Sequence, residues 1–289
     1  PRSYDENNGI REILEKLSSV GWTPGYDDNQ KTIVSLSKGK ESITLEPGGQ
    51  IELSGAPLDN IHETCEETTN HLRELKKLGE EFNFILLGMG VEPNLMLDDL
   101  PWMPKQRYKI MKEYMTRVGT LGHHMMKRTC TNQVNIDYSS EQDMVNKLRI
   151  MLNLEAIATA IFSNSPFDQG SVSQYKSLRS HFWHHTDSDR TGLLPFVFEK
   201  NFNFEQYTDY ALNVPMYFIK RENKYIDMTN YKFKDYFEGK LTNIKHEVTL
   251  KDWEDHLTTL FPQARLKKYI EIRSMDACNW DLILSLIHI

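Results

Sequence analysis

The chain has 289 residues, of which 39% are hydrophobic and 26% charged, a balance that suits a soluble globular protein with a sizeable core in one large or two small domains. No apolar run approaches the roughly 20 residues that cross a bilayer, and Pro1–Glu6 is too polar and acidic to read as a signal peptide. A formal net charge of −7, from 34 basic and 41 acidic side chains, argues against nucleic-acid or membrane partners but leaves room for a local basic pocket. Cys65, Cys130 and Cys278 stand far apart with no CxxC pair, which excludes a disulfide scaffold and a thiolate zinc site of the usual spacing and fits a reducing compartment.

Taken in chain order, Ile10, Ile13, Leu14 and Leu17 follow helical spacing and predict an amphipathic helix closed near Gly21. Thr32–Ser37 alternates, and a turn at Lys38-Gly39-Lys40 leads into Ser42–Glu46. Residues 58–82 carry Leu58, Ile61, Cys65, Leu72 and Leu75 on one stripe of a long surface helix, and Phe84–Leu87 reads as a short buried strand ending at Gly88. A Pro-bounded segment (Pro101, Pro104) precedes a helix over about 105–118. Thr129–Tyr138 alternates as a strand. Ser140 with Asp143 opens a helix to about 162, stopped at Asn164-Ser165-Pro166. Residues 166–192 read mostly as loop, 215–228 as a hairpin around Glu222-Asn223-Lys224, Thr249 as the cap of a helix to Leu260, and Lys268–Arg273 as a strand. Hairpins and long excursions, without a regular βαβ series, point to an α+β fold with a largely antiparallel sheet flanked by helices.

The stretch Ile43–Gly55 carries the most chemistry. A three-residue loop, Pro47-Gly48-Gly49, pairs Glu46 with Gln50, Leu45 with Ile51 and Thr44 with Glu52, and puts all four apolar residues on one face. Glu46 and Glu52 then become diagonal neighbours on the polar face, about 7–8 Å apart at Cα. Two carboxylates so placed suit Mg²⁺, which takes few protein ligands and completes its shell with substrate phosphates. The same alternation marks any half-exposed hairpin. Along Thr129–Tyr138 one parity collects Thr131, Gln133 and Asn135, a face suited to a polar small molecule, with Arg128 at its head as a carboxylate clamp. Glu271 and Arg273 share a strand face, an arrangement equally suited to a metal–phosphate site and to an ordinary ion pair.

Arg179 and Arg190 flank a His-rich stretch and read as anion clamps on a mobile loop ending at Gly192. The adjacent His184 and His185 diverge in most backbones, so a zinc site on His181, His184 and Asp187 is disfavoured. Gly88-Met89-Gly90 lacks the third glycine of a dinucleotide fingerprint, and neither a GxxxxGK[ST] loop nor a GxSxG elbow occurs.

Ser42–Pro57 (SITLEPGGQIELSGAP), Asp99–Met111 (DLPWMPKQRYKIM), Thr120–Asp137, Arg190–Phe198 (RTGLLPFVF) and Leu250–Phe261 (LKDWEDHLTTLF) together closely resemble glutamate–cysteine ligase of the plant and alphaproteobacterial type. The resemblance implies a curved, mainly antiparallel, glutamine synthetase-like half-barrel that holds ATP, Mg²⁺ and L-glutamate on its concave face. It also implies ligation of the glutamate γ-carboxylate to L-cysteine through γ-glutamyl phosphate, the first step of glutathione biosynthesis. By analogy Glu46, Glu52 and Glu271 bind metal. Arg128, Arg179, Arg190 and Arg273 contact glutamate or phosphate, and Thr131, Gln133 and Asn135 line the pocket. The implied location is the cytoplasm, or a plastid for a plant-like source. Alternatives are another carboxylate–amine ligase or an inactive nucleotide-binding fragment.

Family members carry an earlier strand with a Glu-x-Glu pair in a GTEHE-like motif and continue well beyond the position of Trp280. Residues 1–280 therefore read as a single catalytic domain incomplete at both ends, with 281–289 a tail unlike the family.

Overall fold

A computed structural model describes residues 1–27 and 31–285; of the tail, 286–289 lie outside the described residues. The chain opens with helix α1 (Ile10–Ser19), whose Ile10, Ile13, Leu14 and Leu17 are all buried. Four strands follow as an antiparallel meander, β1 (Thr23–Tyr26), β2 (Ile33–Lys38), β3 (Glu41–Leu45) and β4 (Ile51–Ser54). Period-2 side-chain alternation sends Leu36, Ile43 and Leu45 into the principal core beside α1, with Ile51 and Leu53 packed against it. The opposite face keeps Thr44 and Glu52.

The long helix α2 (Ile61–Phe82) is capped by Asn60, whose side chain accepts from the His62 and Glu63 amides, and ends at Asn83 in the left-handed region. Its buried stripe runs through His71, Leu75, Leu78 and Phe82; Leu58 lies before the helix and is exposed. The buried strand expected at Phe84–Leu87 is absent. Those residues are irregular, with Ile85 82% exposed.

Helices α3 (Gln106–Val118) and α4 (Gly122–Arg128) bring Tyr108, Met111, Met115, Met125 and Met126 into the principal core. The strand expected over 129–138 is shorter: isolated bridges tie Thr129 to Val91 and Thr131 to Asp276, and only β5 (Val134–Ile136) forms a ladder. Helix α5 (Glu141–Ile161), capped by Ser140, covers a second core of Met144, Leu148, Leu152, Leu266 and Ile270.

Residues 166–192 are more ordered than their composition suggests. They hold the small hairpin β6–β7 (Phe167–Asp168, Ser171–Val172), helix α6 (Leu178–His184) and β8 (Thr191–Gly192). Helix α7 (Phe204–Asn213) leads to the hairpin β9–β10 (Phe218–Arg221, Lys224–Asp227), whose two-residue turn at Glu222-Asn223 has positive φ at both positions. Helices α8 (Phe233–Phe237) and α9 (Leu250–Leu257) follow, α9 with a full Thr249–Asp252 capping box. Strand β11 (Phe261–Pro262) pairs in parallel with β8. β12 (Ala264–Leu266) and β13 (Ile270–Ile272) complete the antiparallel order β12-β13-β5. A short helix, α10 (Trp280–Ile283), ends the described chain. The architecture is mixed helix and sheet, with predominantly antiparallel sheets and none of them closed.

The turn joining β3 to β4 is locked from outside. The Pro47 carbonyl accepts from the Met103 amide at 2.9 Å, and the Gln50 side chain donates to the Met126 and Thr129 carbonyls. Gly48 packs so tightly on the Lys127 carbonyl that a Cβ would overlap it. Gly48→Ala is therefore expected to cost about 1–3 kcal/mol of stability, read as a lowered urea midpoint; an unchanged midpoint would show that the loop is not pinned there.

Candidate active site

The hairpin register places the first two acids. Thr44 pairs with Glu52, Leu45 with Ile51, and the Glu46 amide donates to the Gln50 carbonyl at 2.9 Å. This is the arrangement expected from a three-residue loop, with Gly49 at φ +90 supplying the left-handed residue that such loops require. Glu52 is an exposed residue with protein atoms gathered around its carboxyl. Its carboxyl is pushed up to about 7, first by that surrounding mass and then by the charge of Glu46.

Strand β13 supplies the opposing wall. Ile270 and Ile272 belong to the cores beneath α5, so the alternating Glu271 and Arg273 turn to the other side, where Arg273, Glu271 and Arg265 all act on the Glu52 charge. The two sheets thus present their polar faces to one shared space. Arg273 packs against the contacting rings of Trp183 and Phe261 and donates to Gln133 Oε1 at 3.3 Å. Asn135 is exposed and directly opposite Glu271 in the ladder.

Glu271 has partners that its spacing did not disclose. Both carboxylate oxygens are taken: Arg265 donates to them at 2.7 and 3.0 Å, Lys267 at 3.1 Å, and Arg273 also binds. Burial works against its charge, but Arg273, Arg265 and Lys267 outweigh burial and hold the carboxyl down at about 2. Glu271 thus holds Arg265, Lys267 and Arg273 together. Thr131 likewise spends its hydroxyl on the Met275 carbonyl at 2.6 Å.

The four arginines divide. Arg273 acts on the Glu52 charge; Arg179 donates to the Ser274 and Arg273 carbonyls, its Nε has no hydrogen-bond partner among the described residues, and burial brings it down to about 10. Arg128 and Arg190 do not line the wall, contrary to their reading as clamps. Arg128 is buried, donating to Asp168 at 2.7 Å, the Glu92 carbonyl at 2.9 Å and His124 Nδ1 at 3.0 Å, and so staples α4 to the β6–β7 hairpin. Arg190 is fully buried, bound to Asp187 at 2.6 Å and to the Pro215 and Thr259 carbonyls, with its guanidinium 4.0 Å from the Tyr217 ring centroid. Nor does a zinc cluster form. Asp187 is committed to Arg190, His181 stacks on Tyr175, and among the described residues no group of three or more His, Cys, Asp or Glu could hold a metal.

Four residues missed by sequence reasoning join the wall. Lys105, brought down to about 8 by burial and Arg107, feels both Glu46 and Glu52. Arg107 is held by Tyr108 and Glu46 against the cost of burial. Tyr108 donates to the Leu45 carbonyl at 2.6 Å, and Cys130, driven up to about 11 by burial, feels the charges of Arg179, Glu46 and Glu52. The available signal was the Pro-bounded run Pro101–Pro104, which stops the chain beside the hairpin tip and starts α3 there. The surface cavities of about 530 and 330 Å³ around Gln106 and Lys109 include neither Glu46 nor Glu52.

Among the described residues no cation is bonded to Glu52, and the carboxylates of Glu46 and Glu52 on one hairpin face are hard oxygen donors that fit a divalent cation such as Mg²⁺. Glu52 titrates near 7 in the fold against 4.5 as an ordinary side chain. Its contribution to stability is therefore complete below pH 4.5 and lost as pH rises through 7. Mg²⁺ is expected to raise the melting temperature at pH 8 and leave it unchanged at pH 5, with Glu52→Gln abolishing the response; an equal response at both pH values would contradict the pairing. Glu271→Gln is expected to cost about 3–5 kcal/mol by leaving buried cations unpaired, measured by urea unfolding at pH 7; a loss below 1 kcal/mol would deny Glu271 its role as hub.

Comparison with known proteins bears on the whole chain. A family model for glutamate–cysteine ligase family 2 (GCS2) matches residues 1–288. The chain is 52% identical over 288 residues to glutamate–cysteine ligase B, chloroplastic, of Oryza sativa subsp. japonica, covering 99% of this chain and 57% of that protein. It is 54% identical to the chloroplastic enzyme of Medicago truncatula (99% and 56% covered) and 50% identical to that of Arabidopsis thaliana (99% and 54%). The chain spans about half the length of the curated relatives it matches. With the family motifs lying on the hairpin, α3 and the second sheet that build the wall, the chain belongs to glutamate–cysteine ligase family 2.

Proposed function

We propose that this chain forms part of the catalytic domain of an ATP-dependent ligase joining the γ-carboxylate of L-glutamate to the amino group of L-cysteine, the first step of glutathione biosynthesis. Residues 1–280 belong to that one domain, and the two facing polar sheets are a portion of a glutamine synthetase-like half-barrel. Family membership supports this reading, as do the printed names of the relatives. Those names also favour a plastid over the cytoplasm as the compartment. The observation that carries the chemistry is the hairpin register that sets Glu46 and Glu52 on one face, with Arg273 acting on the Glu52 charge.

In the reaction a γ-carboxylate oxygen of glutamate attacks the terminal phosphorus of ATP, and the bond from that phosphorus to the bridging oxygen breaks, releasing ADP. The cysteine amine then attacks the acyl carbon, loses a proton, and the carbon–oxygen bond to phosphate breaks. Three anions meet in this space, so positive charge must be fixed there before they arrive. Glu46 and Glu52 would hold Mg²⁺, which when bound screens the phosphate oxygens. Arg273 is held by Glu271 and Gln133, and Arg179 by backbone carbonyls. Both reach the space already oriented to receive carboxylate or phosphate. Lys105, with its proton affinity lowered, neutralises a substrate anion when protonated. Gln133 and Asn135 line the polar floor; Arg128 and Arg190 hold the supporting elements.

The test uses a complete polypeptide: residues 1–288 replace the aligned segment of the Medicago truncatula ligase. Phosphate release is expected only with both glutamate and cysteine present, and Glu52→Gln is expected to lower it at least about 100-fold. Equal turnover without cysteine would point to another amine acceptor, and unchanged turnover in the variant would remove the metal assignment.

A further inference from the structure

Asp276 is 1% exposed, and none of the roles assigned above uses its carboxylate. Among the described residues no lysine or arginine bonds to it. Its donors are neutral: the Asn164 amide at 2.8 Å, the Ser165 hydroxyl at 2.6 Å and the Ser177 hydroxyl at 2.8 Å. A buried carboxylate without a bonded cation is costly, and the two serines show what it does.

A hydroxyl has one proton, and each serine gives it to Asp276, which leaves oxygen lone pairs for the first turn of α6. The Ser177 hydroxyl accepts from the Ser180 amide at 3.2 Å and caps that helix; the Ser165 hydroxyl accepts from the Arg179 amide at 3.1 Å. Asp276 thereby fixes the backbone of Arg179. The Arg179 guanidinium reaches back and donates to the Arg273 carbonyl at 2.9 Å and the Ser274 carbonyl at 3.2 Å. Arg273 stands one residue past β13, beyond its ladder. Its backbone is held there by Arg179 on the carbonyl and, at 2.9 Å, by the bond from its amide to the Gln263 carbonyl. Segments 177–179 and 273–276 are thus tied in both directions, by Asp276 one way and by Arg179 the other. Burial works against the charge of Arg179, and among its neighbours Asp276 supports that charge most strongly.

We infer that Asp276 is a positioning residue for Arg273, acting through Ser165, Ser177 and Arg179 to hold that guanidinium where substrate charge arrives. This rests on the ligase reading above, in which Arg273 receives a carboxylate or a phosphate. It extends that reading to a side chain whose own bonds all lie within the protein. A displacement of about 1 Å at a substrate-binding group can slow turnover on the order of 100-fold. Glu46 and Glu52, fixed by the hairpin, would stay in place when Asp276 is altered.

Steady-state kinetics of the grafted Medicago truncatula polypeptide test it. Arg273→Lys shows which constant depends on that guanidinium: the KM for glutamate, the KM for ATP, or kcat. Asp276→Asn keeps the shape of the side chain but puts an amide donor in place of one oxygen. It is expected to worsen that same constant at least about 10-fold and the other two less than about 3-fold. Ser165→Ala, which removes one hydroxyl and cuts Asp276 from the Arg179 amide, is expected to do likewise, and decides the matter if Asp276→Asn does not fold. Added to Arg273→Lys, Asp276→Asn should change the constant by less than about 2-fold, because both act through one guanidinium. If Arg273→Lys has no effect, the ligase reading of the wall fails and takes the inference with it. A strong effect of Arg273→Lys with none from Asp276→Asn or Ser165→Ala overturns the inference alone. So do losses spread evenly over all three constants that follow a lowered melting temperature, or full additivity in the double variant.

Discussion

Two negative charges held on the arms of one short hairpin set the terms for everything around them. A three-residue loop decides that Glu46 and Glu52 share a face, because a shift of one residue would send Glu52 into the core beside Leu45. The loop has no freedom to change. Its glycine abuts the Lys127 carbonyl, its proline carbonyl is bonded to Met103, and its glutamine reaches over to α4. Like charges are thus brought onto one face by packing against α4 and the 101–105 segment, and the Glu52 carboxyl is raised first by burial and then by the charge of Glu46.

The rest of the wall answers that charge in two ways. Some cations act on the charges of Glu46 and Glu52, namely Arg273, Lys105 and Arg107. Others hold the framework that aims them. Glu271 is the pivot between the two groups, since one carboxylate binds Arg265, Lys267 and Arg273 together. Fixing a guanidinium in advance removes the reorganisation that a flexible arginine would need as substrate charge develops. On the proposed function, a chain of net charge −7 that repels a polyanion over most of its surface would admit one through the cations gathered at this wall.

Much of this was legible in the sequence, and the limits follow from the physics. The hairpin register could be read because period-2 alternation and a glycine pair are local properties. The same holds for α1, α5 and the capping box at Thr249. The roles of the arginines could not. Arg190 earns its burial from carbonyls of Pro215 and Thr259, 25 and 69 residues away, and no spacing rule reports such distances. The bond from Arg265 to Glu271 was likewise hidden, because the two meet only through strand pairing. Phe84–Leu87 matched a buried strand in composition. Its exposure depends on what lies beside it, and that is a tertiary fact.

The most direct measurement is an anomalous scattering map from crystals soaked in Mn²⁺, used in place of Mg²⁺. The account predicts one strong peak at about 2.1–2.2 Å from carboxylate oxygens of both Glu46 and Glu52, with Glu271 still bonded to its three cations. A peak on Glu271, or none at the hairpin, would contradict it.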